Sequence, residues 1–91
     1  MKIKGEFVMR EIAGDILLIP VGQMALKMNA MITLDPVAAL IWEAIGQGDD
    51  RASILKQILD RFDVTEETAS KDLDDFLEQM RRLDLLDEAN G

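Results

Sequence analysis

Residues 6–29 read EFVMREIAGDILLIPVGQMALKMN, and how this run divides decides the fold. Glu6–Ile12 and Asp15–Val21 are apolar-rich segments separated by Ala13-Gly14, a short connection of hairpin type. Val21-Gly22-Gln23 turns the chain into Met24–Asn29 (MALKMN), where Leu26 and Met28 alternate with Lys27 and Asn29. That period of two predicts a half-buried third strand and so a three-stranded antiparallel meander. The middle segment is almost continuously apolar, as suits a strand covered on both faces. Pro20 has no N–H to give to a ladder and belongs near a strand end or an edge. No strand pattern follows over about the next fifty residues, which leaves one edge of MALKMN open.

Beyond this run the pattern turns helical. Asp35 is placed to cap a helix that opens on Pro36, where a missing N–H costs little. Its body, VAALIWEAI, is apolar on nearly every side with Glu43 as the lone charge, the mark of a buried helix, and Gly46 and Gly48 end it. A second helix is predicted over Arg51–Phe62, capped by Asp50 or Asp49, with Ile54, Leu55, Ile58, Leu59 and Phe62 on one face. The third, Glu66–Leu83, has Thr65 as its cap, acids in its first turn and Arg81 and Arg82 in its last, each sign suiting the helix dipole. Its apolar stripe is Ala69, Leu73, Phe76, Leu77, Met80 and Leu83, and Leu85-Leu86 adds a short extended tail against the core.

Ninety-one residues, 48% hydrophobic and 31% charged, are expected to form a single domain spanning 1–91 with its core at about 6–87. With neither cysteine nor histidine, disulfides, thiolate chemistry and the commonest general base and metal ligand are excluded. No stretch approaches the roughly 18–20 apolar residues of a membrane span, and MKIKGEFVMR is no signal peptide, so a cytoplasmic location with no membrane partner is expected. The net charge of −8 is uneven: residues 60–91 carry eleven acids against four bases. Such a segment repels a phosphate backbone.

The cluster Asp72, Asp74, Asp75 and Glu78 invites a carboxylate-pair or metal reading. Lys71 and Arg82, one turn away on either side, make it a solvated acidic face instead, and no metal site is assigned. Ser53 and Ser70 have no histidine to activate them, no Gly-rich phosphate loop exists, and Met24, Met28 and Met31 fit core packing. No catalytic residue and no cofactor is assigned. The second and third helices, joined by a tight turn and preceded by strands, have a winged helix-turn-helix shape, for which duplex DNA is one partner to weigh. The acids of the third helix oppose that reading.

FVMREIAGDILLIPVG, ALKMNAMITLDPVAALIWEAI, ASILKQILDRFDV and TEETASKDLDDFLEQMRRLDLL together resemble the PqqD family, over about residues 6–87. The most telling parts are Met28-Asn29, where the family usually has Leu-Asn, and Ala39-Leu40-Ile41-Trp42-Glu43. Asp84 and Ala30 stand where relatives commonly have Gly. The resemblance implies an α+β, winged helix-turn-helix-like fold: a three-stranded antiparallel sheet followed by three helices. It also implies a RiPP recognition element, a non-catalytic peptide chaperone in natural-product biosynthesis. Such proteins bind the leader segment of a ribosomally synthesised precursor peptide and present it to a separate modifying enzyme, often a radical SAM enzyme.

In that family the leader adds as a strand at the third strand and packs on the third helix. Carried over, the peptide-binding residues are Leu26, Lys27, Met28 and Asn29 on the strand, with Ala69, Lys71, Asp72, Asp75, Phe76 and Gln79 on the helix. An open edge also permits self-pairing into a homodimer. Two other readings stand beside this one: a winged-helix DNA-binding regulator and a structural subunit of an enzyme.

Overall fold

The structure, a computed structural model, describes residues 1–88. Its elements run β1 (Lys2–Ile3), β2 (Phe7–Ile12), β3 (Asp15–Pro20), a single helical turn α1 (Met24–Lys27), β4 (Ile32–Leu34), α2 (Pro36–Gly46), α3 (Arg51–Arg61), α4 (Glu66–Arg82) and β5 (Leu86–Asp87). The α+β architecture follows the expected plan of an antiparallel sheet, ordered β2-β3-β4, then three long helices. Ala13 and Gly14 both take positive φ, the backbone of a two-residue hairpin turn whose twist matches its strands. Pro20 closes β3 opposite Phe7.

The third strand is not MALKMN. Met24–Lys27 coils into one helical turn, with the Met28 N–H donating to the Met24 carbonyl at 2.9 Å. Two causes explain the shift. Met, Ala, Leu and Lys all favour helix, and none of residues 24–29 is β-branched. The inward residues of the segment are also four apart, Met24 and Met28, while Leu26 is 88% exposed. A strand would have buried Leu26 with Met28. The third strand comes five residues later as Ile32-Thr33-Leu34, pairing antiparallel with Leu18, Leu17 and Ile16 of β3.

Each long helix is capped where the sequence predicts. Asp35 accepts from the Ala38 N–H, Asp50 from Ser53 and Thr65 from Thr68. α2 lies innermost, with Ile41, Ala44 and Ile45 almost wholly inaccessible beside Leu18 of the sheet, Ile54 and Ile58 of α3, and Leu73 and Met80 of α4. The Phe7 and Trp42 rings meet edge to face at 5.3 Å, fastening β2 to α2. Arg51 of α3 donates to both carboxylate oxygens of Asp74, at 2.9 and 3.0 Å, and to the Ser70 hydroxyl, which sets the rotation of α4. Leu85 and Leu86 are buried as expected. β5 pairs with β1, Lys2 opposite Asp87 and Ile3 opposite Leu86, a two-stranded clasp with no forerunner in the sequence reading. Asp84, at the departure from Gly noted above, takes a left-handed φ of 58° after α4 and accepts a 2.9 Å hydrogen bond from Lys4.

Candidate peptide groove

β4 pairs with β3 along one edge, and among the described residues the N–H and C=O groups of its other edge have no strand partner. Every second residue of an antiparallel strand turns those groups outward. Beyond this open edge lies a cleft of about 260 Å³ whose far wall is α4. Pockets for whole small molecules run from about 300 to 1,000 Å³, so this one suits the side chains of an extended segment better than a metabolite.

The near wall is β4 and the first turns of α2: Ile32, Leu34, Val37, Ala38 and Ile41. Leu34 and Ile41 belong to the core, while Ile32, Val37 and Ala38 stay half-buried and reach the cleft. Their chain order follows from the Asp35 cap and Pro36, which turn the backbone from strand into helix within two residues. The far wall is Asp72, Asp75, Phe76 and Gln79 of α4, whose spacing puts them on one helix face. Phe76 is 6% exposed and forms its apolar base.

Among the ten residues expected to bind a peptide, Asp72, Asp75, Phe76 and Gln79 line this cleft. Lys71 stands at its rim, donating to Asp75 at 2.8 Å, and that hydrogen bond is the main reason its ammonium is held protonated above its usual range. Ala69 is fully buried in the core and presents nothing to the surface. The four residues from MALKMN are not brought to the groove. Leu26 projects into solvent and Asn29 is exposed, while Lys27 and Met28 line a second cleft with Lys4, Met24 and Leu83.

The strand wall of this cleft, Ile32–Leu34 with Val37 and Ala38, lies outside the residues expected from the sequence. Its signal was the β-branched pair Ile32-Thr33 directly before the helix cap.

No side chain that is both polar and buried occurs among the described residues, and no group of three or more potential ligands there is arranged to hold a metal. No helix among them is long and apolar enough to cross a membrane.

Residues 16–86 match the model of the family described as Coenzyme PQQ synthesis protein D (PqqD). No curated protein is significantly similar to the chain. The solved structure of "TbiB1 in Complex with the TbiA(beta) Leader Peptide" shares this fold with a TM-score of 0.74 and 25% sequence identity, over the whole of both chains.

Proposed function

The chain belongs to the PqqD family, and from that premise we propose that it is a non-catalytic recognition element that binds the leader segment of a ribosomally made precursor peptide by strand addition. The observation that carries this reading is the open edge of β4 beside the cleft walled by α4, where Ile32, Val37, Ala38 and Phe76 form an apolar patch among polar residues. A guest strand gains main-chain hydrogen bonds from such an edge, and its alternate side chains enter the cleft. TbiB1, which shares the fold, is described in complex with a leader peptide. The backbone donors and acceptors come from Ile32–Leu34, and Asp72, Phe76 and Gln79 of α4 flank the guest.

A leader captured this way is held extended, its remaining length free to reach a modifying enzyme on a separate chain. Radical SAM enzymes are the class that the family resemblance suggests. Both act in the cytoplasm in this reading. The DNA-binding alternative is not favoured: α4 presents Asp72, Asp74, Asp75 and Glu78 to any phosphate that approaches it.

Fluorescence anisotropy with a labelled leader segment, taken from a precursor peptide encoded beside this protein, tests the proposal. Saturable binding at micromolar level or tighter is expected. Failure of every such leader to bind the folded protein, together with salt-sensitive binding to duplex DNA, would reverse the assignment.

A further inference from the structure

The charges lining the cleft are one-sided, although Lys71 stands at its rim. Three of the residues that line it are aspartates, Asp35, Asp72 and Asp75, and none is Lys or Arg. Two of the three are engaged. Asp35 accepts from the Ala38 N–H at 2.7 Å to cap α2, and Asp75 pairs with Lys71. Asp72 makes no hydrogen bond and no ion pair among the described residues, and feels Lys71 only through a longer-range attraction. It stands exposed on the wall, one helical turn before Phe76.

Resting on the peptide-binding reading, we propose that the segment this groove accepts is basic as well as apolar: it sets an apolar side chain over Val37, Ala38 and Phe76 and a Lys or Arg against Asp72. Side chains of a strand alternate between faces, so a guest on β4 sends one set toward α2 and Phe76. The residue two positions along the guest from that anchor shares its face and lies along the α4 wall. Lys or Arg there lays its methylene stem over the apolar wall and carries its charge to the carboxylate, and an arginine can engage both oxygens. An acidic residue in the same place meets three carboxylates and no lining cation. The excess of acids over bases in residues 60–91 adds a longer-range field that draws basic segments toward α4.

The test is selection of a random twelve-residue peptide display library on the intact chain, in parallel with Asp72→Lys and with Asp60→Lys. Asp60 is an exposed acid of α3 outside the groove lining, so the second variant makes the same charge change elsewhere. Circular dichroism verifies that both variants fold. The parent and Asp60→Lys are expected to enrich alternating apolar peptides with Lys or Arg at one fixed offset from the anchor. Asp72→Lys is expected to replace that residue by Asp or Glu. A resynthesised peptide with its basic residue changed to Glu should bind the parent about two- to fivefold more weakly, the scale of an exposed ion pair.

Apolar enrichment with no charge preference, or one that Asp60→Lys alters as much as Asp72→Lys does, would overturn the basic specificity while leaving the groove a peptide site. Absence of any enrichment on the folded parent would overturn both.

Discussion

Filling the cleft without touching the core separates binding from folding, and Ala38 is the residue through which to do it. Ala38 sits in the first turn of α2, half-buried, its side chain against the cleft and its backbone N–H on the Asp35 cap. In Ala38→Trp the backbone bond is kept and the indole takes up much of the roughly 260 Å³ that a guest side chain would enter. Burying a Val, Leu or Ile of the guest there is worth about 1.5–3 kcal/mol, and each 1.4 kcal/mol is a factor of ten in affinity. Losing the anchor should therefore raise Kd by at least about tenfold. Stability should move by less than about 1 kcal/mol, because no buried contact is broken and Trp is only slightly poorer than Ala in a helix. The assay is an anisotropy titration with a labelled leader peptide beside a thermal melt, with Ala38→Ser as the variant that leaves the cleft open. A folded Ala38→Trp protein that binds within twofold of the parent would refute the reasoning, since the guest would then have no use for the cleft.

Four further outcomes are expected. Leu26→Asp, at a solvent-facing position away from the groove, should leave both the melt and the leader Kd within twofold of the parent. Leu73→Ala removes a fully buried side chain from α4 and should cost about 2–5 kcal/mol in urea unfolding, provided the denaturant slope is unchanged. Gly5→Ala should destabilise by about 1–3 kcal/mol, because Gly5 has a φ of +95° and an added Cβ would lie 2.7 Å from the Met24 sulfur. Asp74 is held below its ordinary value of 3.8 chiefly by its hydrogen bond to Arg51. A carboxyl depressed in the folded state adds stability above its unfolded pKa and loses it as pH falls through the folded one, so this contribution fades below about pH 4. Acid-unfolding curves of Asp74→Asn should accordingly be flatter than the parent's in that range, and superimposable curves would show that the pair contributes nothing.

Most of the fold was legible because its signals were local and redundant. The hairpin strands and the three long helices fall within a residue of their sequence limits, since each helix has a side-chain cap, backed by Gly46 and Gly48 after α2 and by a periodic apolar stripe in α3 and α4. MALKMN failed for the opposite reason. Four alternating positions fit a strand, while the same letters have helical propensity, and only burial separates the two. Met24 and Met28 are both half-buried, and that pattern depends on residues distant in the chain, Lys4 and Leu83 among them.

The groove divides the same way. Its helix wall could be read beside the apolar stripe of α4, because a helix fixes which residues are neighbours. Val37 and Ala38 could not be found so, since in an all-apolar helix nothing local tells which side is left uncovered. A cleft belongs to the gap between two elements, and no single segment records it. The clasp was silent too: Lys2 and Asp87 stand at opposite ends of the sequence, and no local pattern marks them as partners.

That clasp has a topological consequence. Besides the β1–β5 pairing, the Lys4 N–H donates to the Leu85 carbonyl at 2.8 Å, so the two ends of the described fold are held at one corner. None of the clasp residues lines the β4–α4 cleft. A partner domain joined at either end would leave from the same point, and a linker between the ends would close the chain into a ring without reorienting the cleft. The domain is in this sense a cassette, indifferent to which of its ends is tethered.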